Sequence, residues 1–167
     1  MAETTVGVTH PFEPVWDEHS RVLVLGTFPS VKSRANAFYY GHPQNRFWRV
    51  LAALYGEAAP ETIEQKKALL LRHGVALWDV LQSCDVTGSA DASIRHPVPN
   101  DVAGLLLKAP IERVLCNGQT AARLYARFCE PLTGLAAAAL PSTSPANAGC
   151  SLERLIAAWS ALKSPAP

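Results

Sequence analysis

The stretch Val22-Leu-Val-Leu-Gly-Thr-Phe-Pro-Ser30 gives the clearest indication of the fold class of this 167-residue chain. Its first part is a short run of branched apolar residues, which is typical of a strand buried on both faces. A loop with glycine and proline ends the strand, and the stretch Tyr39-Tyr-Gly-His-Pro-Gln-Asn-Arg-Phe-Trp48 follows shortly after it. This order predicts a pocket at the carboxyl end of a parallel strand, where open α/β sheets bind their ligands.

Strands and helices are predicted to alternate along the rest of the chain. The predicted strands span residues 21–27, 113–116 and 136–140, and the run 75–81 fits either a strand or a turn of helix. The predicted helices span residues 45–55, 60–73, 101–107, 119–128 and the segment that Ser151 caps. Residues 83–98 are predicted to form a loop. The alternation predicts an α/β fold with a mainly parallel sheet that helices cover on both faces.

The composition, with 49% hydrophobic residues, predicts one compact domain over residues 1–167 with its core at about 20–163. No apolar run is long enough to cross a membrane, and residues 1–14 do not resemble a signal peptide, so we expect a cytoplasmic protein. The cysteines Cys84, Cys116, Cys129 and Cys150 form no Cys-x-x-Cys pair. We therefore expect neither a metal site nor a disulfide framework.

Two windows of the sequence contain no acidic residue, one between Arg21 and Glu57 and one between Pro131 and Leu152. Local positive fields can hold a phosphate backbone. The same windows are partly apolar, so they could lack acidic residues simply because much of each window is buried. Charge alone does not decide between this explanation and nucleic-acid binding. A pocket built from these windows would offer aromatic rings and amides but no carboxylate. That set suits a nucleobase better than a sugar, a metal or an acyl group.

Three of the predicted strands end in polar loops, at residues 26–30, 117–118 and 141–145. In a parallel sheet these loops open at the same edge. Gly26 lets a ligand approach the backbone closely. Each loop alone is compatible with an ordinary strand-to-helix turn, but three of them beside an aromatic segment favour a binding site.

Asn45 has two interpretations. It stands where the helix 45–55 is predicted to begin, and asparagine is a preferred N-cap. Its amide could instead orient a water or read the edge of a base. Tyr39 and Tyr40 could pack in the core or form a platform for base stacking, which contributes about 1–3 kcal/mol. His42 could contact a phosphate or simply stand in a turn.

Five short motifs occur in order between about residues 22 and 162. They are Gly26-Thr-Phe-Pro-Ser, His42-Pro-Gln-Asn-Arg-Phe-Trp, Leu77-Trp-Asp-Val-Leu, Asn117-Gly118 and Leu140-Pro-Ser-Thr-Ser-Pro-Ala-Asn. Together they resemble the uracil-DNA glycosylase superfamily, and within it the hypoxanthine-DNA (deoxyinosine) glycosylase branch. The mismatch-specific uracil/thymine glycosylases are similar as well, because they share the His-Pro-x-Asn-Arg-Phe-Trp string.

The resemblance implies a three-layer α/β/α sandwich around a short, mainly parallel sheet. It implies a pocket for a flipped base, formed by Gly26, Thr27, Phe28, Pro29, Ser30, Tyr40 and Asn117. It implies DNA contacts by His42, Pro141, Ser142, Thr143, Ser144, Pro145 and Asn147. Many relatives have Asn or Asp where this chain has Phe28, so the catalytic role falls on Asn45.

The implied activity is that of a monofunctional DNA glycosylase in base excision repair. Such an enzyme flips a deaminated base, here hypoxanthine first, out of double-stranded DNA and hydrolyses its N-glycosidic bond without a metal or another cofactor. We expect a monomer that does not bind membranes. An amide is not a general base near neutral pH, so Asn45 is expected to position a water, and most of the rate is expected from stabilising the departing base.

Two alternatives remain open from the sequence. One is a glycosylase specific for uracil or thymine opposite guanine, and the other is a non-catalytic module on the same fold that binds nucleic acid or nucleotides. Asp79 is interpreted as a buried structural acceptor or a helix cap and is not predicted to be catalytic.

Overall fold

The computed structural model describes residues 5–9, 12–28, 38–87 and 94–163. Its strands are β1 Thr5–Thr9, β2 Val22–Gly26, β3 Val75–Asp79, β4 Leu81–Thr87, β5 Arg95–Pro99, β6 Arg113–Asn117 and β7 Ala137–Leu140. Its α-helices are α1 Phe47–Tyr55, α2 Ile63–Arg72, α3 Val102–Lys108, α4 Gln119–Phe128, α5 Glu130–Thr133 and α6 Leu152–Trp159. Short 3-10 turns span Pro145–Asn147 and Ser160–Lys163. Within these ranges no helix has the length and apolar character needed to span a bilayer.

The central sheet has the strand order β3-β2-β6-β7, and each neighbouring pair is parallel. All five residues of β2 are buried, because apolar side chains cover the sheet on both faces. One core cluster packs beneath α1, α2 and α6, and the other packs beneath α3 and α4. This arrangement confirms the predicted three-layer α/β/α sandwich around a short parallel sheet.

A second sheet corrects the prediction that residues 83–98 form a loop. In it β4 pairs antiparallel with both β1 and β5, and Val6 stands opposite Val86. The sequence of β4 is too polar to stand out as a strand, and its partner β1 lies far away in the chain. Pro97 falls within β5, at the edge of this sheet, where a missing N–H is tolerated.

The helix boundaries follow local capping chemistry. Asp101 and Ser151 cap α3 and α6 through their side chains, as predicted. The helix predicted over 60–73 begins later, at Ile63, because Thr62 and Gln65 form a reciprocal capping box there.

The run 75–81, which the sequence left ambiguous, begins as strand β3. It pairs in parallel with β2 from Val22↔Val75 to Gly26↔Asp79. This register places Gly26 and Asp79 side by side at the carboxyl edge of the sheet.

Candidate active site

The carboxyl ends of β6 and β7 lie side by side, and the loops that follow them are hydrogen-bonded to each other. The Thr143 N–H donates to Asn117 Oδ1 over 3.0 Å, and Asn117 Nδ2 donates to Thr143 Oγ1 over 3.0 Å. Thr143 is fully buried. Two of the three polar loops predicted from the sequence are therefore joined into one hydrogen-bonded unit at the edge of the sheet.

Asn45 is joined to the same unit. Its Oδ1 accepts the Phe47 N–H over 3.0 Å and the Thr143 hydroxyl over 2.8 Å. Helix α1 begins at Phe47 with Arg46 in the cap position, so Asn45 does not occupy the N-cap position that was one of its two interpretations from the sequence. It nevertheless satisfies an N–H at the start of the helix, while the second bond to its oxygen ties the helix to the loop after β7.

Tyr40 occupies an unusual position next to this network. Its φ of 54° lies in the left-handed region, which costs a non-glycine residue free energy. Its ring packs on Phe47 with the centroids 4.2 Å apart. Burial and the nearby Asp79 carboxylate raise the pKa of the Tyr40 hydroxyl above its ordinary value. Tyr40 is therefore a neutral hydrogen-bond donor near neutral pH.

Tyr39 has a structural role. Its side chain is buried, with contacts to Phe12 and Phe38, and its hydroxyl donates to the Glu13 carbonyl over 2.8 Å. The structure thus places Tyr39 in the core and leaves Tyr40 as the tyrosine beside the candidate site.

The structure corrects the expectation of a site without a carboxylate. Asp79, which is 3% exposed, stands at the end of β3 against Gly26. A methyl group on Gly26 would lie 2.3 Å from Asp79 Oδ1 and 2.8 Å from the Tyr40 hydroxyl oxygen. Asp79 ends a strand and is not a helix cap. The motif Leu77-Trp-Asp-Val-Leu could have indicated this position, had the run 75–81 been assigned as a parallel strand.

Side chains that follow β2 pack on opposite faces of the sheet. Thr27 is buried, and its carbonyl accepts the Leu81 N–H over 3.1 Å. Phe28 packs against the cluster beneath α3 and α4, whereas Tyr40 packs against the cluster beneath α1. The predicted pocket residues Pro29 and Ser30 lie outside the described residues.

The loop predicted to contact DNA is held by its own hydrogen bonds. Ser142 Oγ accepts the Ser144 N–H, and Ser144 Oγ accepts the Ala146 N–H at the start of the 3-10 turn that begins with Pro145. Asn147 Nδ2 donates to the Ser142 carbonyl. Because both serine oxygens act as acceptors here, their hydroxyl hydrogens can be donated to another group.

This loop borders an open cleft of about 460 Å³. The opposite wall comes from residues 117–120, at the end of β6 and the start of α4. Pro141, Ser142, Ser144 and Asn147 all border the cleft. Thr143 does not, because its side chain is fully buried; the prediction that it contacts DNA is therefore corrected to an internal role.

His42 stands in a turn just before Asn45. Its carbonyl accepts the Asn45 N–H over 2.9 Å, and its Nδ1 accepts the Gln44 N–H over 3.0 Å. A neutral His42 ring therefore carries its hydrogen on Nε2, which can donate outward.

Arg46 is a structural contributor that the sequence reasoning missed. Its guanidinium donates to the carbonyls of Cys150 and Asn147, and its backbone N–H donates to the Thr143 carbonyl over 3.1 Å. Arg46 thus clamps the start of α1 to the loop after β7. Its place in the His42-Pro-Gln-Asn-Arg motif could have indicated a role for Arg46. The role itself could not be predicted, because the partners of Arg46 lie about a hundred positions further along the chain.

Comparison with known proteins agrees with this architecture. Curated relatives include the hypoxanthine DNA glycosylase of Methanosarcina acetivorans, which is 37% identical over 141 residues, 81% of this chain and 86% of that protein. The hypoxanthine DNA glycosylase of Methanosarcina barkeri is 36% identical over 110 residues, 65% of this chain and 70% of that protein.

A solution NMR structure of a candidate uracil DNA glycosylase from Methanosarcina acetivorans has the same fold. It superposes with a TM-score of 0.78 at 31% identity, over 93% of this chain and 99% of that one. The sequence profile described as the uracil DNA glycosylase superfamily matches residues 13–163. The profile covers every element from β2 to α6 and includes the network around Asn45, so the chain belongs to the uracil DNA glycosylase superfamily.

Proposed function

We propose that this protein is a monofunctional DNA glycosylase that excises hypoxanthine from double-stranded DNA in base excision repair. The observation that carries the proposal is the hydrogen-bonded unit of Asn45, Thr143 and Asn117 beside Tyr40. It presents neutral amides and an aromatic ring at the carboxyl edge of the sheet. The two curated relatives that are named hypoxanthine DNA glycosylases support the choice of base.

The roles follow from the chemistry of the reaction. Cleavage of the N-glycosidic bond leaves an oxocarbenium-like sugar and a departing purine anion. Asn45 is proposed as the catalytic residue, and Gly26, Thr27, Phe28, Pro29, Ser30, Tyr40 and Asn117 as the lining of the base pocket. Preorganised neutral donors stabilise the anion, because they need no reorganisation as charge develops.

The cleft of about 460 Å³ is proposed to face the DNA backbone. The hydroxyl hydrogens of Ser142 and Ser144 and the Nε2 hydrogen of His42 can be donated to phosphate oxygens. Pro141, Pro145 and Asn147 would shape the surface that presses on the duplex. Flipping a base costs a few kcal/mol, and the cost is lower at a mispair, which favours deaminated bases.

We further propose that the protein acts as a monomer and as a single domain spanning residues 1–167. Its DNA substrate favours the cytoplasm as the compartment. The reaction needs water as the only co-reactant, so the proposal includes no metal or cofactor.

The test uses duplex oligonucleotides that carry one inosine, xanthine or uracil, followed by alkali to cleave abasic sites. We expect strand scission at inosine and none in the unmodified duplex. We expect no scission without alkali, because a monofunctional enzyme leaves the abasic strand intact. Asn45→Ala is expected to lower the single-turnover rate at inosine by about 100-fold.

Other outcomes would point elsewhere. Faster scission at uracil opposite guanine than at inosine would favour the mismatch-specific alternative. Binding of the duplex without scission of any substrate would favour a non-catalytic binding module.

A further inference from the structure

The hydrogen positions in the network around Asn45 are fixed by two backbone groups. A backbone N–H can only donate, so the side-chain atom that faces Phe47 N must be Asn45 Oδ1. By the same reasoning Asn117 Oδ1 faces Thr143 N, which turns Asn117 Nδ2 toward Thr143 Oγ1. The Thr143 hydroxyl receives that hydrogen, so its own hydrogen goes to Asn45 Oδ1 over 2.8 Å.

With these hydrogen positions, the Asn45 side chain can donate a further hydrogen bond but cannot accept one. A side-chain carbonyl oxygen has two lone pairs, and both are occupied by Phe47 N–H and the Thr143 hydroxyl. Within the described ranges, no hydrogen bond is made by Asn45 Nδ2. The side chain can therefore offer hydrogens to a ligand, whereas it has no lone pair left to take one from a water.

Resting on the proposed function, we propose that Asn45 donates a hydrogen bond to the departing purine and that Thr143 is the positioning residue that sets this orientation. In the reaction the glycosidic nitrogen keeps the bonding electron pair, and the oxygen of water forms the new bond to the sugar carbon. The proton that the water loses ends on the purine or in solvent. A donor from Asn45 stabilises the purine while it carries negative charge.

The substitution Asn45→Asp separates the two roles of this side chain. Aspartate is isosteric and keeps both accepting bonds, to Phe47 N–H and the Thr143 hydroxyl, but it has no N–H to donate. If Asn45 acts as a donor, Asn45→Asp is no faster than Asn45→Ala, and both are about 100-fold slower than the wild type on inosine DNA. If Asn45 instead activates a water, the carboxylate of Asn45→Asp makes it faster than Asn45→Ala.

A second set of variants tests Thr143. Thr143→Val keeps the shape and removes the hydroxyl, so the single-turnover rate is expected to fall about tenfold, and Thr143→Ser is expected to restore most of it. The affinity for a duplex with a non-cleavable 2′-fluoro inosine analogue is expected to stay unchanged. Thr143→Val in an Asn45→Ala background is expected to lower the rate by less than it does in the wild type, because the hydrogen bond between these two side chains is already absent and only the bond from Asn117 Nδ2 is lost.

These outcomes separate the inference from the proposed function. A wild type that cleaves none of the modified duplexes would overturn the proposed function. If the wild type is active, three results would overturn the inference alone. They are a faster Asn45→Asp than Asn45→Ala, a full rate in Thr143→Val, and a loss of rate in Thr143→Val that comes only from weaker binding of the duplex.

Discussion

Gly26 and Asp79 stand side by side at the carboxyl ends of β2 and β3, so closely that Gly26 has no room for a methyl group. The Asp79 carboxylate and the Tyr40 hydroxyl occupy the space above the Gly26 Cα. Both atoms belong to side chains held by the core, so neither can withdraw without disturbing its neighbours. A glycine is thus required here because the site has no space for a side chain. Its backbone conformation is not the reason, because the φ of Gly26 is not positive.

Gly26→Ala is therefore expected to destabilise the fold by about 1–3 kcal/mol, the usual cost of forcing atoms into a packed region. Urea unfolding measures this change, and cleavage of inosine DNA should fall in parallel. Gly149→Ala is the matched control, because nothing lies within 4 Å of a methyl group there. Equal stability of the two variants would contradict the close packing of Gly26 and Asp79.

Tyr40→Phe is expected to raise the free energy of unfolding by up to about 1 kcal/mol, because an unsatisfied buried hydroxyl is costly. Within the described residues the Tyr40 hydroxyl is buried and has no hydrogen-bond partner. Tyr125→Phe is the contrasting variant, since the Tyr125 hydroxyl donates to the Leu135 carbonyl and its loss should cost about 1 kcal/mol. Thermal unfolding of both variants decides the matter, and a destabilised Tyr40→Phe would show that the hydroxyl is satisfied in solution.

Arg46→Lys is expected to loosen the clamp between α1 and the loop after β7. A lysine cannot reproduce the forked pair of bonds to the Cys150 and Asn147 carbonyls, so the loss should be about 1–2 kcal/mol in stability. The rate on inosine DNA should fall too, since the clamp holds the loop that contains Thr143. Arg49→Lys, at an exposed position of the same helix, should leave both measurements unchanged.

The stability of the protein is expected to depend on Glu57 at acidic pH. Hydrogen bonds from Arg72, and then from His73, lower the pKa of Glu57 below its ordinary value. A group with a lowered folded pKa stabilises the fold above its unfolded pKa of about 4.3, and this contribution is lost as the pH falls through the folded pKa.

Urea midpoints measured from neutral to strongly acidic pH test this prediction. The difference between the wild type and Glu57→Gln should be largest above the unfolded pKa and should disappear toward low pH. Glu112→Gln, at an exposed position, provides the control. A difference that stayed constant across the pH range would show that the Glu57 charge makes no contribution.

Thiol labelling is expected to separate Cys150 from the other cysteines. Cys84, Cys116 and Cys129 are buried, and Cys150 is partly exposed. Burial raises the pKa of Cys116 to about 12 and that of Cys129 to about 11, so few thiolates exist there at neutral pH. A disulfide-exchange reagent should label one thiol quickly in the native protein, and Cys150→Ser should abolish that fast phase. Fast reaction of a second thiol would argue against the described packing.

Local chemistry made much of the fold predictable. A short run of branched apolar residues that a glycine soon ends favours a strand buried on both faces, which is why β2 and β6 were expected. Asp101 and Ser151 cap their helices with groups three residues away, so the sequence itself holds both partners. The order of the five motifs indicated the superfamily, and hence the three-layer architecture.

The remaining features depend on partners that are distant in the chain. Strand β4 becomes recognisable only when it pairs with β1, and Asp79 joins the site only through its register with Gly26. Asn45 and Thr143 are 98 positions apart, and no local pattern specifies the hydrogen bond between them.

The sequence alone indicated the central strands, the helix caps and the motifs of the site, because each of these depends on residues that are close together in the chain. The tertiary structure decided how the site residues are oriented: it placed the Asp79 carboxylate beside Gly26, buried the Thr143 side chain and directed Asn45 Oδ1 toward the Phe47 N–H and the Thr143 hydroxyl. Orientation follows from hydrogen bonds between separate loops, and those bonds exist only after the parallel strands have brought the loops together.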